Sequence, residues 1–494
     1  MMYGRGNSDP VIVATSPANK ADETVAEPVE RRTGTKGKAI APTTRRVQDR
    51  ESVSPGLDRL RERAIGHRNE KFTSLLHHLS VDLLFKAYHW IKHDAAAGVD
   101  GVTWRVYGID LTVKLSDLHD RIHRGAYRAQ PSLRKMIPKA DGRERPLGIA
   151  SLEDKIVQRA MVEVLNSIYE PMFLGFSYGF RPGRSQHDAL DALWVGIGTM
   201  RVNWILDADI RSYFDTVSHD HLIRFLEERI GDKRVIRLIR KWLKAGVVKD
   251  GILAATEIGT PQGSVISPLL SNLYLHHVFD TWAHKWRQVA GRGRMIIVRY
   301  ADDTVCGFER EADARAFLED LKARMEQYGL ALHPEKTRLI EFGRYAAENR
   351  AQRGLSKPET FTFLGFTHIC GKSRGGKFLL VRKSRRDRMR NKLQEIKTQL
   401  RRRINASIPE QGRWLASVVR GYFAYHAVPG NSPVLRAFRY HIVVMWQRLL
   451  KRRSQRTTIN WESGAMTRLA GQWLPMPRVL HPWPNQRFSV KHPR

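Results

Sequence analysis

The chain has 494 residues, and its 84 Lys and Arg against 50 Asp and Glu give a formal net charge of +34. An excess of that size repels itself unless a polyanion neutralises it, so nucleic acid is the first partner implied, ahead of an anionic membrane surface. The two cysteines, Cys306 and Cys370, exclude a disulfide framework and a four-cysteine zinc site, and no apolar run approaches the ~18 residues needed to span a bilayer.

Between Tyr3 and Phe72 there is no aromatic residue, while Pro, Thr, Arg, Glu and Gly abound. Residues 1–55 are expected to form a disordered basic arm, because such a segment buries too little apolar surface to order itself. The next stretch, 56–110, is expected to be helical, from the near-helical spacing of Leu75, Leu76, Leu79, Leu83, Leu84 and Tyr88. Turn signals such as "KADGRERP" predict strands and loops over 95–150, followed by a helix opening at Ser151 with Glu153 in its first turn. From about residue 200 to 345 strand-like and helical segments alternate, which predicts an α+β domain. "NWILDADI" reads as a strand and "SPLLSNLYLHHVFDTWAHKW" as a long helix, while "EADARAFLEDLKARMEQYG" reads as a helix closed by Gly329. After about 375 come three basic amphipathic helices, ending in a Pro- and aromatic-rich tail over 456–494.

Within the α+β region the stretch "MIIVRYADDTVCGF" places Asp302 and Asp303 between two apolar, β-branched runs. That pattern predicts a hairpin with the acidic pair at its tip, and alternation along extended backbone points the two carboxylates opposite ways. A carboxylate so placed suits a hard cation, but phosphoryl transfer by two metal ions needs a second ligand from another strand. "WILDADIRSYFD" offers Asp209 after an apolar run, with Asp207 on the same face and Asp215 further along; spacing alone does not choose between Asp207 and Asp209.

"DIRSYFD" followed by "RYADD" resembles the two metal-binding motifs of reverse transcriptases, and the resemblance extends over roughly 70–494. It implies a right-hand polymerase with fingers and palm over 111–375 and an all-α thumb or maturase domain over 376–455. It implies catalytic roles for Asp209, Asp302 and Asp303, with two Mg²⁺ held by Asp209, Asp302 and the main chain of Ile210. Lys139 and Arg145 match the residues that grip the incoming triphosphate, as paired cations in a Gly-containing loop can. Gln262 matches a residue near nucleotide and template, and Phe214 matches the bulky gate that rejects a ribose 2′-hydroxyl. Lys336, in "LALHPEKT", matches a motif whose amine can protonate the leaving pyrophosphate.

The blocks "GVDG", "SYGFRPGRS" and "RGYFAYHAVPGNS" are most similar to bacterial group II intron proteins. That similarity implies a polymerase that binds its own intron RNA, promotes its splicing, and copies it at a DNA target from a primer with deoxynucleotides. Arg382, Lys383, Arg385, Arg386, Arg401, Arg402, Arg403 and Arg420 are the expected RNA contacts, by the rule that clustered Lys and Arg neutralise phosphates. The absence of cysteine beyond Cys370 argues against a zinc-dependent HNH endonuclease in the DNA-binding-like tail. Cytoplasmic location, association with the nucleoid while on DNA, and a homodimer complete the expectations. A splicing cofactor without catalysis, or a polymerase recruited to phage defence, are the alternative readings.

Overall fold

The computed structural model describes residues 12–14, 54–138, 144–249, 252–254, 258–260, 262–453 and 464–490. Its centre is a four-stranded antiparallel sheet in the spatial order Met295–Tyr300, Asp303–Phe308, Trp204–Ala208, Arg338–Glu341. Alternation along these strands gives the sheet two apolar faces. Leu206, Cys306 and Ile297 enter one core, together with Phe317 and Leu321 of the helix Glu311–Glu326. Ile205, Val305 and Val298 enter a second core, covered by Leu190 and Leu193 of the helix Gln186–Thr199. Both faces are dry, so the register is fixed: a slip of one residue would exchange the two cores.

A smaller sheet orders Glu144–Ile149, Ser132–Pro138, Val247–Lys249 and Ile252–Ala254, with its first two strands antiparallel. The helix Leu152–Tyr169 follows directly, its Ser151 hydroxyl accepting from the Asp154 amide as the sequence predicts. A three-stranded sheet, Phe361–Phe363, Phe366–Lys372 and Phe378–Ser384, leads into the helices Arg386–Arg402, Ile408–His426 and Ser432–Arg453. These helices close on a core of their own around Leu415, Val419, Phe438, Ile442 and Trp446.

Several expectations change. The segment expected as strands and loops contains the helix Leu111–His123, because Leu115, Leu118 and Ile122 recur at helical spacing and are buried together. Over 72–91 the regular helix is Val81–Trp90, started by the Ser80 cap; the earlier leucines lie in a short turn and loop. The boundary drawn at 375 falls inside a hairpin, since Phe378–Ser384 pairs along its length with Phe366–Lys372. The tail is not wholly irregular: Ala465–Trp473 is helical and packs Met466 and Ala470 into the C-terminal core. Within the arm, Ile12–Ala14 pairs antiparallel with Phe488–Val490, and its other residues up to 53 lie outside the described ones.

Candidate active site

The hairpin forms as the sequence predicts. Tyr300 pairs with Asp303 across a two-residue turn made of Ala301 and Asp302, and Ala301 takes φ 57. The neighbouring strand ends at Ala208, paired with Thr304, so the chain leaves the sheet at Asp209 beside the turn. Asp209 is fastened by its main chain. Its carbonyl accepts from the His333 amide at 2.8 Å, and Ile210 bridges to Leu332. The "LALHPEKT" segment thus lies against the first carboxylate, and it carries Lys336, whose Nζ is 3.3 Å from an Asp209 carboxylate oxygen.

The acidic groups repel one another. Burial, then the nearby charge of Asp209, raises the Asp302 carboxyl above its ordinary range, against partial relief from Arg145 and Arg299. Asp303 keeps surface exposure, but the protein around its carboxylate, then Asp302 and Asp209, pushes it up to about 6. Asp207, on the other side of Ala208 from Asp209, rises to about 7 through desolvation and the charge of Asp303. A cluster of carboxylates that raise each other's pKa suits a bound cation, whose charge reverses the sign of that interaction. Among the described residues no three His, Cys, Asp or Glu side chains converge enough to hold a metal alone. Two carboxylates and a main-chain carbonyl fit a hard cation that keeps waters and substrate phosphates in its shell.

The nucleotide side of the site is partly assembled. Arg145, on the small sheet, donates through Nε to Gln262 Oε1 at 2.8 Å, and Gln262 Nε2 lies 3.4 Å from Asp215 Oδ1. Residues from three separate sequence blocks are thereby brought together. Gly263 allows it: at φ 105, an added Cβ would stand 2.7 Å from the Gly148 carbonyl oxygen. Phe214 is half-buried in the short helix Tyr213–Thr216, against the main core. Lys139 lies outside the described residues.

Sequence patterns did not disclose a buried brace under the hairpin turn. Arg299 is fully buried, and all five of its N–H donors are engaged. Nε and Nη2 grip the two oxygens of Asp280 at 2.7 and 2.5 Å. Nη1 donates to Asn272 Oδ1 at 3.0 Å and to the Ala301 carbonyl at 2.9 Å, while Nη2 donates to Ser177 Oγ at 2.7 Å. Asp280 reaches Arg299 from a π-helical turn, His276–Asp280, within the long helix. The available signal was a lone Arg in an apolar strand and a lone Asp in an apolar helix.

The expected nucleic-acid contacts divide. Lys383, Arg386, Arg401, Arg402 and Arg420 are exposed or partly so; Arg385 pairs with Asp387, and Arg403 lies over the Trp414 ring at 4.5 Å. Arg382 does not belong with them. It is only 1% exposed and donates to Asp191 at 2.7 Å, because alternation along its strand turns it inward while Lys383 faces out. Arg487 of the tail joins the same cluster, ion-paired to Asp191 and Asp188, so this part of the tail is a structural tie.

A mixed α/β fold with carboxylates at a strand end and at a neighbouring hairpin turn fits the fingers and palm of a polymerase. The profile described as reverse transcriptase (RNA-dependent DNA polymerase) matches residues 137–368. Protein YkfC of Escherichia coli (strain K12) is 35% identical over 325 residues, covering 60% of this chain and 81% of that protein. The chain belongs to the reverse transcriptase family. It is also similar to the group II intron-encoded protein LtrA of Lactococcus lactis subsp. cremoris, 35% identical over 224 residues, 45% of this chain and 37% of that one. The "Uncharacterized 91 kDa protein in cob intron" of Schizosaccharomyces pombe (strain 972 / ATCC 24843) is 28% identical over 431 residues, 74% of this chain and 52% of that protein. The chain therefore spans about half or less of the length of the last two. Members of the family work with a divalent cation, and the carboxylates described above are the groups suited to hold it. Among the described residues no helix is long and apolar enough to cross a membrane.

Proposed function

We propose that the protein is the RNA-directed DNA polymerase of a group II intron, that it also binds the intron RNA to promote splicing, and that it supports mobility by target-primed reverse transcription in the bacterial cytoplasm. The observation that carries the polymerase reading is the meeting of Asp209 and Asp302 at one end of the central sheet, with Arg145 and Gln262 facing them from another layer. Asp209, Asp302 and the Ile210 carbonyl would hold two Mg²⁺ ions, which would supply neutralisation of phosphate charge and activation of the primer 3′-hydroxyl.

The chain's own residues do the rest. Asp303, beside the turn, adds negative potential that favours cations over an empty site. Arg145 and Lys139 pair with the triphosphate oxygens of the deoxynucleotide and hold it in line with the primer end. Phe214 closes the space a 2′-hydroxyl would need. Lys336, 3.3 Å from Asp209, donates a proton to the departing pyrophosphate. Lys383, Arg386, Arg401, Arg402 and Arg420 take the phosphates of intron RNA, their side chains being exposed.

Extension of a DNA primer on an RNA template, with and without Mg²⁺, tests this reading. Asp302→Asn is expected to reduce extension at least about a thousand-fold, the scale of losing a major electrostatic element of the transition state, while intron splicing persists. Undiminished extension by that variant would sink the catalytic assignment.

A further inference from the structure

Phe180 stands beside the hairpin turn with a strained backbone and an exposed ring. It is 54% exposed and its backbone takes φ 57, a region that disfavours a bulky L-residue. Chain relaxation would remove that strain if the flanks were free, and they are not.

On one side, the Gly179 carbonyl accepts from Asn272 Nδ2 at 2.6 Å, and a Cβ on Gly179 would lie 2.3 Å from the Ala301 amide nitrogen. The Tyr178 amide donates to the Arg299 carbonyl at 2.8 Å, and the Arg299 amide to the Phe176 carbonyl at 2.9 Å, so a single β-bridge ties this loop to the hairpin. On the other side Arg181 is 5% exposed and drives inward. Its guanidinium grips Glu170 at 2.9 Å and donates to the carbonyls of Leu174 and Ser177 at 2.6 and 2.7 Å. Arg184 ties the loop again at the Gly175 carbonyl, 2.6 Å away.

A residue pinned on both sides in a strained conformation, with its side chain left in solvent, is a reason to look for a role outside the fold. Single exposed apolar residues are common on proteins and need no explanation. This one differs because its ring centroid is 6.3 Å from that of Tyr300, the residue before Ala301 and Asp302. The aromatic pair therefore stands next to the turn that carries Asp302.

We propose that Phe180 is a nucleic-acid contact residue: its ring stacks on a base of the primer–template next to the reacting end. Aromatic stacking is tolerant of sequence, as a polymerase that copies any template requires. The inference rests on the polymerase reading and goes beyond it by assigning a contact that no catalytic motif supplies.

The test uses the full chain with a defined DNA primer on an RNA template. Phe180→Ala is expected to weaken primer–template binding about ten-fold, the scale of removing one base–aromatic stack, and Phe180→Trp to restore it. Phe180→Asn, which tolerates positive φ, is expected to keep or raise the melting temperature while weakening affinity by the same factor. A base-free nucleotide at the primer end, or at the template position opposite, identifies the partner: wild type and Phe180→Ala converge on the substrate that lacks the stacked base. Wild-type affinity in a folded Phe180→Ala, convergence on neither substrate, or a drop in melting temperature for Phe180→Asn typical of a core position would each overturn the inference. Asp302→Asn separates the two readings. If it extends normally the polymerase reading falls; if it is inactive while Phe180→Ala binds normally, only the stacking role of Phe180 falls.

Discussion

The catalytic end of the central sheet and the C-terminal helices both depend on arginine, and they use it in opposite ways. Under the catalytic turn Arg299 is removed from water, saturated with partners and neutralised by Asp280. On the C-terminal helices Arg386, Arg401 and Arg402 keep their charge in solvent. A buried guanidinium with a fixed fork of donors holds geometry, whereas exposed ones supply long-range attraction to a polyanion. The same residue type therefore sets position in one region and leaves charge on the surface in the other.

The largest expected effect comes from breaking the buried side of that contrast. Arg299→Met leaves Asp280 charged and unpaired, and removing one partner of a buried pair costs about 3–5 kcal/mol. Thermal unfolding measures it, with primer extension as the second readout. Arg299→Met/Asp280→Leu removes both charges and is expected to recover much of the stability but not the rate of extension, because the Ala301 carbonyl still lacks its donor. Recovery of both would reduce the brace to ordinary packing.

Acid separates buried groups from exposed ones more broadly. Burial pushes His276, His277, His368 and His426 down to about 3, each below the ordinary histidine value of 6.5. At these four side chains the unfolded chain binds more protons than the fold between pH 6.5 and 3, so their contribution to stability is complete above that window and is lost as pH falls through it, while the raised carboxyls of Asp207 and Asp303 act the opposite way. Each group contributes a slope of about 1.4 kcal/mol per pH unit, and unfolding followed from pH 7 to 4.5 is expected to show it. His276 and His277 lie in the long helix that carries Asp280, His368 in the three-stranded sheet and His426 in the C-terminal helices. Acid should therefore weaken the long helix, the three-stranded sheet and the C-terminal helices together.

The smallest effect on the fold, and a specific one on binding, is expected from the exposed arginines. Arg386→Ala/Arg401→Ala/Arg402→Ala should leave the melting temperature within experimental scatter. It should reduce the salt dependence of RNA binding by about two to three units of log–log slope, since each phosphate that is no longer neutralised removes nearly one unit. Arg382→Ala, a neighbour in sequence, should do the reverse: destabilise the protein and leave the salt slope alone. A shared outcome for the two variants would erase the distinction between structural and binding arginines.

Much of the site was legible because it is local. A hairpin tip flanked by strand formers announces itself within a single short stretch, and Asp209 follows a strand of its own. The Ser151 cap and the Gly329 stop are local too, since capping is settled within a turn of helix. The misplaced elements were those whose periodicity was interrupted. Turn-rich sequence on both sides hid the helix Leu111–His123, and a boundary drawn by composition cut through the hairpin that ends at Ser384.

Residue type and order along the chain suffice for the polymerase class and the basic character of the C-terminal half, and they single out the three carboxylates as candidates. Which charges meet is a matter of packing in three dimensions. Asp280 and Arg299 are 19 residues apart, and Asp191 and Arg382 are 191 apart. Neither pair has a signature in spacing, since what joins them is the packing of a helix on a sheet. Burial also assigns meaning: Arg382 and Lys383 are adjacent cations, yet strand alternation makes one a structural tie and leaves the other in solvent.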